Sequence, residues 1–333
     1  MLISPSQLMF ISSLISGTIL SISATSWFGA WAGLELNLLS FIPLIISKNN
    51  QYSSESALKY FLIQALGSAI IIFSASLMLI SPNLAPLCLA LALFLKLGAS
   101  PFHFWFPQVM EGMNWIQSIV LMTIQKIAPM LLLSYLTHSY LVTSLMFNVI
   151  ILSAMVGAVG GINQTMLRKI MAFSSINHMA WMLSAILISE SMWTMYFAFY
   201  SLMSSSVALI FHFQQIFHFS QITSNNASPL LNKILMLLSL LSLGGLPPFT
   251  GFFPKWILIQ EMISSHFFIP LLVLLLSTLI SLYYYLRISI SALVLFSPKS
   301  KWSSPQRSPS LFTPFMTFIN LFGLFIPSVF IMF

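Results

Sequence analysis

Lys96, in ALALFLKLGASP, and Lys126, in VLMTIQKIAPML, sit in the middle of runs that contain almost nothing else able to hold a charge. Glu35, in WFGAWAGLELNLLSFIP, is the one carboxylate at comparable depth, and Lys255 follows a run of glycines and prolines in SLGGLPPFTGFFPKW. The whole chain has only five acidic residues, Glu35, Glu55, Glu111, Glu190 and Glu261, against twelve Lys and Arg. An ionised side chain at the centre of a membrane helix costs about 2.5–3.5 kcal/mol on insertion scales, so ionisable groups at that depth are functional candidates by default. Removing the proton from a lysine at neutral pH costs roughly 4–5 kcal/mol. The two costs are similar, so burial alone brings the charged and neutral forms within reach of each other. The chemistry this points to is proton carriage. The competing reading is a structural ion pair between Glu35 and one lysine; it leaves the remaining lysines without a counter-charge.

Other residues are less specific. Lys59 and Arg287 lie nearer helix ends, where a long side chain can reach the interface. His103, in SPFHFW, and His178, in SSINHMAW, each fit either a proton relay or a hydrogen-bonded packing role, and Lys59 stands beside them as a candidate relay. The histidines form no convincing metal-ligand set. Cys88 is the only cysteine, which excludes internal disulfides and any iron–sulfur cluster held by this chain alone. No phosphate-binding or dinucleotide fingerprint is present. The twenty methionines read as lipid-facing or packing side chains. Gly157 and Gly161 give a GxxxG spacing, which reads as a close helix contact.

The elements that must position these groups are set by composition. Of 333 residues, 58% are hydrophobic and 5% charged, with a mean hydropathy of +0.97. A surface that apolar faces lipid. The start, MLISPSQLMFISSLISG, has neither a basic leader nor a cleavage site and is expected to be the first membrane helix. At about 20 apolar residues per crossing, the chain divides into about eleven helices: 3–22, 26–47, 56–80, 86–107, 113–137, 139–160, 165–189, 192–217, 230–260, 267–293 and 311–333. Loops on the N-terminal side contain Lys48, Arg168, Lys169, Lys233, Lys299, Lys301 and Arg307, whereas the opposite loops contain no Lys or Arg. The positive-inside rule therefore places the N-terminus inside and the C-terminus outside. The sequons at Asn163 and Asn226 then fall inside, where they are not glycosylated. The segment 296–310, FSPKSKWSSPQRSPS, reads as a solvated inside loop before the last helix.

Two spans cannot be ordinary helices. The fourth runs through Gly98 and Pro101, and the ninth through Gly244, Gly245, Pro247 and Pro248. Proline removes a backbone donor and clashes with the preceding turn, so both should break inside the membrane. Five crossings separate them, which makes them antiparallel, and paired broken helices are the mark of inverted repeats. The expected fold is an all-α membrane protein of two inverted five-helix repeats, 1–138 and 139–295, each with a broken fourth helix, followed by the polar loop and a C-terminal helix at 311–333. Irregular backbone at that depth is tolerated where it lines a wet cavity, and the lysines would face that interior.

The stretches WAGLELNLLSFIP, SALKYFLIQA, KLGASPFHFWFP, QKIAP, GGINQTMLRKIMAFSSINHMAWM and SLGGLPPFTGFFPKW resemble the subunit-2 family of animal mitochondrial NADH:ubiquinone oxidoreductase (NADH dehydrogenase, complex I). These are antiporter-like chains related to Mrp-type cation/proton antiporters, and the resemblance runs over nearly the whole sequence, weakest after residue 290. Animal members of the family lack three N-terminal helices of the bacterial form, which agrees with eleven helices. The resemblance implies that Glu35 is the acidic member of a proton-translocating axis, Lys96 its partner, Lys126 the central lysine and Lys255 the terminal group. It also implies a proton-pumping subunit of the mitochondrial inner membrane, with the N-terminus in the matrix and the C-terminus in the intermembrane space. No cofactor is bound by this chain under that reading; NADH, FMN, iron–sulfur clusters and ubiquinone are expected on other subunits. Partners are other membrane subunits, including neighbouring antiporter-like ones, and lipid, with no nucleic acid. The alternatives are a self-sufficient cation/proton antiporter and an inert membrane scaffold; the lack of sizeable loops disfavours the first and the buried charges the second.

Overall fold

A computed structural model describes residues 4–46, 50–224, 230–247 and 249–294. Lys48, Asn226, Pro248, the 296–310 loop and the expected span 311–333 lie outside the described residues. The described chain is helical: α1 (Pro5–Ser23), α2 (Trp27–Ile45), α3 (Gln51–Leu77), α4 (Ala85–Leu97), α5 (Trp105–Gly112), α6 (Trp115–Met122), α7 (Ile124–Ser134), α8 (Tyr140–Gly161), α9 (Leu167–Ile188), α10 (Glu190–Gln214), α11 (Phe219–Ser224), α12 (Leu230–Gly244), α13 (Phe252–Ser264) and α14 (Phe268–Val294). Among the described residues, eight helical segments are long and apolar enough to cross a membrane, with α6 and α7 together forming one of them. The chain divides into two compact units, the first ending at Ser153 and the second beginning at Ala154.

Local chemistry sets the helix ends. Ser4 and Gln7 form a reciprocal capping box before Pro5, and Ser26 accepts from the Gly29 amide at 3.2 Å, satisfying donors that a helix N-terminus leaves open. Asn50 caps α3 through the Tyr52 amide, so that helix begins before the apolar run that suggests a start at residue 56. Serines inside the apolar spans return their hydroxyls to the preceding turn, as Ser21 does to the Thr18 carbonyl at 2.8 Å and Ser74 to Ile71 at 2.8 Å. That back-bonding lets hydroxyls sit in apolar surroundings. Lys233, expected in a loop, instead lies in the first turn of α12 and is buried.

Both units use one device to bring helices together. A Cβ on Gly33 of α2 would lie 2.5 Å from the Ser21 nitrogen of α1, and one on Gly17 would lie 2.8 Å from the Asn37 nitrogen. In the second unit a Cβ on Gly157 of α8 would lie 2.5 Å from the Asn177 nitrogen of α9. The Gly-to-Asn spacing is the same, 37 − 17 = 177 − 157 = 20. Each asparagine then ties a further helix: Asn37 accepts from Gln125 Nε2 at 2.7 Å, and Asn177 accepts from Ser277 Oγ at 2.9 Å. The GxxxG spacing serves two neighbours, since Gly157 meets α9 while Gly161 packs on the Tyr284 ring of α14.

Three crossings are discontinuous. After α4, Gly98 takes a left-handed φ of 71° and its amide reaches back to the Leu95 carbonyl; after α12, Gly245 does the same with φ 78°. Left-handed glycines end helices without the steric penalty a Cβ would bring. The third discontinuity, at Thr123 between α6 and α7, interrupts the span expected to be continuous over 113–137. Thr123 bonds its own hydroxyl to the Ile119 carbonyl at 2.7 Å, and Pro129 lacks the N–H that would bond the Gln125 carbonyl.

Candidate functional site

In the first unit α4 packs against α7 and α3, which brings Lys96 and Lys126 to one cavity of about 20 Å³, room for about one water. Lys96 is 6% exposed and Lys126 is 2% exposed. Each has an irregular backbone nearby. Lys96 is the penultimate residue of α4, and Lys126 lies between the Thr123 interruption and Pro129. Space for the Lys96 stem comes from Gly67 of α3, where a Cβ would lie 3.0 Å from Lys96 Cγ. Gln64 Nε2 donates to the Lys96 carbonyl at 3.1 Å, and the Lys126 ammonium stands 5.4 Å from the Phe106 ring centroid, a cation–π distance. The remaining polar wall is neutral: the Tyr60 hydroxyl donates to Gln125 Oε1 at 3.3 Å, and Gln125 Nε2 donates on to Asn37 Oδ1. This is a small polar chamber in which two ammonium groups lie among neutral hydrogen-bonding side chains.

Glu35 is half-buried on α2, beside the cavity residues Leu34 and Asn37. Its charge acts on Lys96 through space. Among the described residues the two form no direct ion pair, so a packing salt bridge does not account for Glu35. Lys59 is elsewhere: it pairs with Glu55 at 2.6 Å, one turn away on α3, and the two side chains are 41% and 61% exposed. His103 lies in the linker between α4 and α5 with its ring 4.2 Å from the Phe104 ring, centroid to centroid, and its Nδ1 is buried without a well-formed hydrogen bond.

The second unit holds Lys255 and His178. Lys255, on α13, lies back across Gly245 and donates from Nζ to the Gly244 carbonyl at 2.9 Å, closing the C-terminal end of α12. A cation at that position also complements the helix dipole. His178 is buried on α9 with Nδ1 3.0 Å from the Tyr196 hydroxyl. Pro101 follows Gly98 in the first break, and Pro247 follows Gly245 in the second. No cluster of three potential metal-ligating side chains occurs among the described residues.

Sequence reasoning missed Tyr60, Gln64, Gln125 and Asn37. Gln125 and Asn37 had a signal, as amides inside apolar spans must find partners; Tyr60 and Gln64 lie one and five residues beyond Lys59 on the same helix.

The chain matches the family described as NADH:quinone oxidoreductase/Mrp antiporter, TM, over residues 24–83 and 80–281. It is 45% identical over 327 residues to NADH-ubiquinone oxidoreductase chain 2 of Anopheles gambiae, covering 95% of each chain. Its fold is similar to a chain of respiratory complex I from Thermus thermophilus, with a TM-score of 0.85 at 23% identity over 97% of this chain and 78% of that one. A chain of the Mrp complex from Dietzia sp. DQ12-45-1b also shares the fold, with a TM-score of 0.76 at 15% identity over 91% of this chain and 64% of that one.

Proposed function

The chain belongs to the NADH-ubiquinone oxidoreductase chain 2 family, and we propose that it is a proton-translocating membrane subunit of respiratory NADH:ubiquinone oxidoreductase. Glu35, Lys96 and Lys126 carry protons in the first unit and Lys255 in the second. Electron transfer runs through other chains, which hold NADH, FMN, the iron–sulfur clusters and ubiquinone. Neighbouring membrane subunits, antiporter-like ones among them, flank it in the mitochondrial inner membrane. The one-sided loop cations support a matrix N-terminus and an intermembrane-space C-terminus.

The observation that carries this reading is the pair of buried lysines on one water-sized cavity with neutral walls. Two unit charges about 8 Å apart at an effective dielectric constant of about 20 repel by about 2 kcal/mol. A proton on one lysine therefore disfavours a proton on the other by about thirtyfold, enough to drive charge onward. Glu35, half-buried beside the cavity residues Leu34 and Asn37, supplies a carboxylate near the lysine pair.

Lys126→Met keeps length and bulk but removes the carrier, whereas Lys126→Arg keeps charge but holds its proton, because guanidinium does not release it. In the assembled respiratory complex reconstituted into vesicles, both variants are expected to lose proton translocation. A scaffold needing only positive charge would tolerate Arg. Full translocation per electron in an assembled Lys126→Met complex would refute the assignment.

A further inference from the structure

The second unit contains a group of buried hydroxyls that the lysine axis does not use. Tyr196 and Tyr200 on α10 and Tyr284 and Tyr285 on α14 are each at most 2% exposed, and they gather against Ser174, Ser175 and His178 of α9. Packing alone is met by phenylalanine, of which the chain has thirty against nine tyrosines, so four phenols in one apolar interior call for a polar role.

Their order in space suggests which role. The Tyr284 ring packs on Gly161, where α8 ends, and one turn later the exposed Arg287 donates to the Ile162 carbonyl at 3.3 Å. Tyr284 thus marks the end of the unit where Arg168, Lys169 and Arg287 lie. Tyr285 is next, with ring centroids 4.7 Å apart, and its hydroxyl faces Ser174. Tyr200 faces Ser175 and Ser204 within electrostatic range of Tyr285, and the Tyr196 hydroxyl is 3.0 Å from His178 Nδ1. The Tyr284 and Tyr285 hydroxyls are buried without a well-formed hydrogen bond. Leaving a buried polar group unpaired costs about 1–3 kcal/mol, and protein interiors meet that need with ordered water.

We propose that Tyr284, Tyr285, Tyr200 and Tyr196, with water completing the first two hydroxyls, form a proton wire from the basic end of the second unit to His178. This rests on the reading of the chain as a proton-translocating subunit. A phenol donates and accepts at once. At each hydroxyl an O–H bond forms to the incoming proton while the existing O–H bond breaks toward the next acceptor, so every tyrosine stays neutral. The net change is one proton taken from bulk water and one N–H bond formed on His178. Tyr285 also packs near Gly244, whose carbonyl receives Lys255, so the wire passes close to the helix end that holds the lysine of the axis.

The test is Tyr285→Phe, alone and with Tyr284→Phe, in the assembled respiratory complex in vesicles, beside Lys126→Met and Tyr283→Phe. Tyr283 shares the helix but is 59% exposed and serves as the control. The Tyr285 variants should translocate protons about tenfold more slowly, less than the loss of a positioned general acid because water can partly substitute; Tyr283→Phe should be unchanged. Normal translocation in Tyr285→Phe with a defect in Lys126→Met overturns the wire and leaves the axis standing. A defect in Tyr285→Phe with normal Lys126→Met supports the wire and refutes the axis, and normal translocation in both refutes both. Should the tyrosine variants fail to assemble, a high-resolution map of the native complex decides. Water within hydrogen-bond distance of the Tyr284 and Tyr285 hydroxyls is expected, and dry hydroxyls would overturn the proposal.

Discussion

Gly17 with Asn37 in the first unit, and Gly157 with Asn177 in the second, cross neighbouring helices at backbone distance and then hand an amide to a third helix. On that shared frame the units treat polarity differently. In the first, Lys96 and Lys126 turn toward one cavity, and the bond from Asn37 runs to Gln125, next to Lys126. In the second, Lys255 lies against a helix end, and the interior beside Asn177 is filled with tyrosines and His178. The difference teaches that a broken helix can serve a buried cation in two ways: by opening space that water can occupy, as at Gly98, or by offering an unpaired carbonyl, as at Gly244. The first way leaves the ammonium exchangeable; the second also makes it part of the fold.

The largest expected effect tests the shared frame. Gly33→Ala and Gly157→Ala each place a Cβ 2.5 Å from the backbone nitrogen of a neighbouring helix, and neither helix can yield without moving its own packing. Overpacking of this kind costs about 1–3 kcal/mol. Both variants should reduce the amount of assembled complex, measured by native gel or by thermal unfolding. Loss in one with full tolerance in the other would break the equivalence of the two crossings.

A smaller effect separates the two kinds of lysine. Lys255→Met leaves the Gly244 carbonyl without its buried donor and should destabilise the complex by about 1–2 kcal/mol. Lys96→Met removes a buried ammonium that closes no helix end and should be close to neutral in stability, since an apolar side chain of similar size often replaces a buried charge without loss. Proton translocation should fall in both. Lys255→Gln, which keeps a donor, should recover part of the stability and none of the translocation. Equal thermal stability for Lys255→Met and Lys96→Met would erase the distinction.

Much of this was legible in the sequence because its signals are local. Gly98 with Pro101, and Gly244 with Gly245, announce helix ends by their own backbone chemistry, and lysines stand out in runs that hold almost no other charge. The Thr123 interruption was not legible, since threonine is tolerated in helices and the disturbance comes from its hydroxyl and from Pro129 six residues later. The cavity shared by Lys96 and Lys126 depends on α4 meeting α7, which no spacing along the chain encodes. Gly17 follows no short motif, and Gly33, although it makes a GxxxG spacing with Gly29, does not by itself say which helix it meets, because the contact is between helices. The tyrosines escaped notice for another reason: in an apolar span a phenol scores as an aromatic, and only its neighbours reveal what the hydroxyl lacks.

The smallest expected effect concerns Lys59, which sequence position alone leaves as a candidate relay. It shares α3 with Tyr60 and Gln64 of the cavity, so proximity along the chain favours a role. Direction argues otherwise. Tyr60 is 2% exposed and points into the unit, while adjacent residues on a helix face about 100° apart, and the Lys59 ammonium meets Glu55 at 2.6 Å on a face open to its surroundings. An i,i+4 pair of this exposure contributes about 0.3–0.5 kcal/mol. Lys59→Met should therefore change stability by no more than about 0.5 kcal/mol and leave translocation per electron at the unsubstituted level, measured in the same vesicles as Lys126→Met. A fall to the level of the Lys126 variant would return Lys59 to the proton path and extend the cavity's function to the outer face of α3.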